Sequence, residues 1–145
     1  MFTELVKERD ALPATPVWPQ TVSSAFATTG TIDMTNYARC EVRGVVGALG
    51  AATVTAWLQS SANSAGTSPT TVSGSTINAI TTANKTFTIE LQSSQLTERY
   101  LQGVISVASS TAIVAITAMG TCARYSPANT ADAASVAQRL VVPIT

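Results

Sequence analysis

The chain contains no histidine, which removes the side chain most used for proton transfer near neutral pH and leaves no Ser-His-Asp or Cys-His arrangement to build. Its eight Asp and Glu residues are scattered. Asp33, Glu41, Glu90, Glu98 and Asp132 fall at no spacing that would pair two acids for general acid/base work, and isolated acids belong on a solvated surface. Cys40 and Cys122 are too few for a disulfide framework and match no zinc spacing, so both read as small thiols in core strands, with their pairing left open. Gly44, Gly47 and Gly50 form Gly-x-x-Gly-x-x-Gly, yet no lysine follows and the next segment reads as a strand; a phosphate loop needs a helix there, so the glycines mark a turn. Asn84-Lys-Thr86 fits a glycosylation acceptor as a pattern only. The sequence therefore points to no enzyme, no catalytic residue, no metal and no cofactor.

What must position such a surface is β structure. The 145 residues carry a formal net charge of zero and 11% charged residues, and nothing ionisable lies between Arg43 and Lys85. A span that long, kept in water by Ser, Thr, Asn and Gln, is unsuited to a charged cleft, and without a basic run there is nothing to engage a phosphate backbone. Direct nucleic-acid binding is not expected. High Thr and Val content favours pleated strands over a helical bundle.

Alternation supplies the elements. Ala25–Ile32 reads as a first strand; Arg39–Val46 follows, with Cys40, Val42, Gly44 and Val46 on one face and Arg39, Glu41 and Arg43 on the other. After a turn at Gly47–Gly50, Thr53–Gln59 returns as the partner in a hairpin, with Val54, Ala56 and Leu58 opposite Thr53, Thr55 and Trp57. Ser60–Thr70 reads as an exposed loop. Ser75–Thr82 and Lys85–Leu91 are expected to pair around Ala83-Asn84, Ser93–Thr97 to cross over, and Arg99–Val107 and Ala112–Tyr125 to be the last strands. The uncharged Gly103–Ala123 stretch has the length of a membrane span, but Ala108–Thr111 breaks it as a turn would, so no membrane segment is assigned. Seven or eight short strands with this much apolar surface suit a sandwich or jelly roll.

The expected organisation is all-β: a jelly-roll-like sandwich over residues 23–125, an N-terminal arm over 1–22 and a C-terminal arm over 126–145. Five charges crowd Glu4–Asp10, and Pro13, Pro16 and Pro19 stiffen the chain around Trp18. A short helix capped by Thr130 is expected to reach Arg139, before Leu140-Val-Val-Pro-Ile144. Fully stretched, an arm of about 20 residues reaches roughly 65 Å. Two readings of the arms follow: docking on neighbouring subunits through Phe2, Leu5, Trp18, Leu140, Val141, Val142 and Ile144, or folding back as edge strands. The charged N-terminus lacks the apolar core of an export signal, so synthesis in a cytoplasm is expected.

Certain residues carry a family resemblance. Asp33-Met-x-x-Tyr37-x-Arg39, then Val45-x-Gly47-x-Leu49-Gly50-x-x-Thr53-Val54-x-Ala56-x-Leu58-Gln59-x-Ser61, with Arg99-Tyr100-Leu101 and Arg124-Tyr125-x-Pro127, resembles the head-decoration (cement) proteins of tailed double-stranded DNA bacteriophages. Ala38 departs from the pattern where such proteins often carry a second basic residue. The resemblance implies a homo-oligomer on the outer surface of the virion, bound to the major capsid protein, clamping adjacent capsomers. A carbohydrate- or receptor-binding sandwich of a phage tail or fibre is the alternative. It would use aromatic platforms, Trp57 first among them; a self-assembling fibre or sheath subunit is a third.

Overall fold

The computed structural model describes residues 12–124 of the chain. Ten strands occur among them: β1 (Leu12–Pro13), β2 (Val17–Ser23), β3 (Phe26–Thr28), β4 (Ile32–Asp33), β5 (Tyr37–Leu49), β6 (Thr53–Ser61), β7 (Thr70–Thr71), β8 (Lys85–Gln92), β9 (Tyr100–Ala108) and β10 (Thr111–Ala123). All pairings are antiparallel. One sheet runs β1/β2, β10, β5, β8 and the other β3/β4, β9, β6, β7. β1 and β2 lie end to end along β10, as β3 and β4 do along β9. Counting each collinear pair once, the first, last, third and sixth strands form one sheet and the second, seventh, fourth and fifth the other. That order is the double Greek key of a jelly roll, as the sequence pattern led us to expect.

Period-two burial explains the strands. Cys40, Val42 and Val46 of β5, Val54, Ala56 and Leu58 of β6 and Val114, Ile116 and Ala118 of β10 are all within 1% of complete burial. They fill the space between the sheets, each fully buried Leu or Val contributing about 1.5–3 kcal/mol. Glycine makes room where a ring must enter: a Cβ on Gly120 would stand 2.5 Å from the ring of Tyr37, which packs across it.

Three expectations about partners do not hold. β5 and β6 keep their expected faces but are no hairpin, since β5 pairs with β10 and β8, and β6 with β9 and β7. The chain turns at Gly50–Ala52 to change sheets, and Gly47 lies within β5. β9 and β10 likewise change sheets across Ser109-Ser110, with Ser109 at φ 71°. The expected strand Ser75–Thr82 does not pair with Lys85–Leu91. It follows β6 irregularly, through Ile77 N–H to the Ala56 carbonyl (2.9 Å) and mutual bonds between Ile80 and Val54. Here Ser75 replaces a backbone group: its Oγ accepts from Leu58 N–H (3.0 Å) and donates to the Val72 carbonyl (2.7 Å). The expected first strand is broken into β3 and β4 at Thr29–Thr31, where Thr29 Oγ1 accepts from Gly103 N–H at 2.9 Å. No helix among the described residues is long and apolar enough to cross a membrane.

The expected boundary at residue 23 falls inside the sheet. Residues 12–22, assigned to an arm, pair with β10 of the same chain, and Val17 and Val22 are buried. Edge position accommodates the prolines, because a missing N–H on the outer side costs no ladder bond. Phe2, Leu5, Leu140, Val141, Val142, Ile144 and the helix expected from Thr130 lie outside the described residues.

Candidate docking surfaces

Trp18 is the one residue assigned to partner binding that the described structure places, and it is 60% exposed. Its position follows from an irregular ladder. Val17 pairs with Ile116 and Gln20 with Val114, so Trp18 and Pro19 together face Ala115 in a bulge. Val17 points inward, which turns Trp18 outward. Ala115 pairs on its other side with Val45, 52% exposed, and Ile113, two residues back on the same face, is 43% exposed and packs over Gly47. Trp18, Ala115, Val45 and Ile113 thus form an apolar half of the outer face of the β10-containing sheet. The sequence signal for it is a break in type along β5 and β10, where outward positions turn from charged or Thr to Val, Ala and Ile.

The other half of that face is charged. Arg43 and Glu41 form an ion pair at 2.5 Å, while Glu41 sits directly across the ladder from Glu90. Two like charges so placed repel, and Arg43 offsets this by engaging Glu41. A shallow depression of about 350 Å³ lies here, bordered by Arg39, Glu41, Glu90 and Cys122. Cys40 reaches it only from below: it is buried, and desolvation holds its thiol neutral, its pKa pushed up to about 12. Both cysteines are unbridged. Among the described residues, no three His, Cys, Asp or Glu side chains converge as metal ligands would.

The motif residues behind the family resemblance have structural work. Arg99 grips Asp33 with both arms of its guanidinium, Nε to Oδ1 at 2.9 Å and Nη2 to Oδ2 at 2.6 Å. Thr35 adds two bonds to Oδ1, from its hydroxyl (2.7 Å) and its N–H (3.1 Å). The Arg99 contact, first of these effects, lowers the Asp33 pKa to about 2. This network fastens the loop by which the chain passes from β4 to β5, and so from one sheet to the other. Met34 and Tyr37 are buried beneath it.

Trp57, the expected carbohydrate platform, is half-buried on the outer face of the second sheet and pairs in the ladder with Val104, itself 1% exposed. Beside them Gln102 is buried, bonded to Gln59 at 3.1 Å and closed over at Gly66 by the 62–69 loop. That loop is held by Thr31 Oγ1 donating to the Ser64 carbonyl and by Asn63 bonding Thr67. Trp57 is therefore part of a second, small packed layer. The exposed aromatic on this sheet is Phe26, 71% exposed and not singled out from the sequence.

The described residues thus form a jelly-roll scaffold whose most exposed apolar groups sit on sheet faces. No family model and no curated protein matches the chain. Among solved structures, chains from the Gt and Gx strains of infectious bursal disease virus are similar to it, with TM-scores of 0.42 and 0.39. Each is 13% identical and covers 79% of this chain but 32% of the viral chain, so this chain spans about a third of the length of either.

Proposed function

We propose that this chain is a structural protein of a virus particle, a decoration (cement) protein that lies on the outer capsid surface of a tailed bacteriophage and ties neighbouring capsomers together through its ends. The observation that carries the reading is Trp18, a large aromatic held 60% exposed on the edge strand of a sheet, next to an apolar face. An exposed aromatic anchor on a preordered scaffold is what a docking surface needs. The family resemblance and the jelly-roll topology, an architecture used for viral capsid and lectin domains, support the same reading.

Such a protein acts by adding interface. Packed DNA strains a shell at its capsomer junctions, and identical contacts repeated over a closed lattice reinforce one another. A net charge of zero lets many copies sit close together with little mutual repulsion. The direct partners would be the major capsid protein and further copies of this chain, with the virion as the location and the host cytoplasm as the site of synthesis.

The test is decoration of purified shells by full-length protein, by Trp18→Ala and by a chain lacking residues 1–11. Both variants should keep the cooperative unfolding of the parent and lose at least tenfold in shell affinity. Full occupancy by both would overturn the reading.

A further inference from the structure

β8 is the most exposed ladder edge in the described structure. It pairs with β5 alone, over eight residues without proline or glycine. The other edges are interrupted: β2 carries Pro19 and a bulge, β3 and β4 are short and broken apart, and the edge of β6 is taken by β7 and by the stretch through Ile80. An open edge of this length is a template for another strand. Beside it, between β8 and the Val72–Ser75 turn of the opposite sheet, runs a cleft of about 210 Å³ lined by Leu58, Val72, Ile89 and Leu91. Val72, Ile89 and Leu91 remain 8–9% exposed there, whereas mid-core side chains such as Val42 and Ile105 are fully enclosed.

We propose that the Arg139–Val142 segment of a neighbouring copy adds to β8 as a further strand, placing Leu140 and Val142 in this cleft. This rests on the decoration reading, in which copies lie side by side. Its chemistry fits by alternation. Leu140 and Val142 share one face, and Arg139 and Val141 the other. Arg139 then comes to the side of β8 that carries Glu90, which has no salt bridge among the described residues because Arg43 engages Glu41. Pro143 ends the pairing where its missing N–H would break the ladder.

The place where β10 ends favours this edge. Arg124 donates from Nη2 to Ser93 Oγ at 2.6 Å, immediately after β8, so the last described residue lies about two strand spacings, roughly 10 Å, from the open edge. Residues 125–138 span up to about 50 Å when extended. Three or four residues would return the segment to its own β8. The surplus length suits delivery to an adjacent copy, an exchange of identical elements between protomers.

Disulfide trapping in full-length protein tests this, in a Cys122→Ser background, since Cys40 is buried. One size-tagged chain carries Val141→Cys, and a second carries Thr86→Cys, Thr88→Cys or Gln92→Cys, which lie on the face of β8 that carries Glu90 and leave Glu90 free for charge reversal. On mixing and mild oxidation, one of the three should give a heterodimer, and Arg139→Glu should slow it at least fivefold, with Glu90→Lys restoring the rate. No heterodimer at any register, or a crosslink formed only within one chain carrying both cysteines, would overturn the proposal. Shell binding is scored separately: decoration without the crosslink removes only this docking, and the crosslink without decoration removes only the capsid reading.

Discussion

A carboxylate and a guanidinium far apart in the chain fix one corner of the molecule. Asp33 and Arg99 stand 66 positions apart, and their two-pronged contact lowers the Asp33 pKa from its ordinary 3.8 to about 2. The folded state therefore prefers the ionised acid. The resulting stabilisation is complete above about pH 4 and is lost as pH falls towards and through 2. Replacing Asp33 with Asn should lower the melting temperature at pH 7, and the gap to the parent should close between pH 4 and pH 2. A gap independent of pH would show that the ion pair contributes nothing. The sequence displayed Asp33 and Arg99 as members of a recognisable pattern, but their pairing was not legible. It depends on the β4–β9 ladder, which sets Asp33 across from Tyr100.

Strand faces were legible and strand partners were not. Alternation along β5, β6 and β8 states which side chains turn inward, and burial follows it. It is silent on which strand lies alongside, because a change of sheet across Gly50–Ala52 leaves the same period-two pattern as a hairpin would. The stretch after Val72 misled for another reason: its Ile77 and Ile80 do reach the ladder, but between Val72 and Ile77 the Ser75 side chain stands in for the backbone. Ser75→Ala should cost about 1–3 kcal/mol in urea unfolding, since the buried Leu58 N–H would lose its acceptor. A change under about 0.5 kcal/mol would mean that the edge readjusts at no cost. Among the candidate docking residues, Trp18 was legible as an aromatic among prolines, while the Val45–Ile113 patch beside it emerged only when the β5–β10 register put the two strands together.

At the scale of the whole molecule, the N-terminal end of the described chain belongs to the sandwich. Residues 12–22 complete the sheet along β10 and bring Val17 and Val22 into the core. Removing residues 1–11 should leave the melting temperature within a few degrees of the parent; removing 1–22 should abolish cooperative unfolding, since β10 would lose a neighbour and the core one wall. Equal stability of the two truncations would contradict the fold. The central place of β10 has a further consequence for how the protein is made. β1, β2 and β5 all pair with a strand that begins at Thr111, so during synthesis β1 waits nearly a hundred residues for its ladder partner. Contacts this distant in sequence put the domain among slow folders, in the millisecond-to-second range. A nascent chain that stops short of Ala123 holds the parts of a sandwich with nothing to close them.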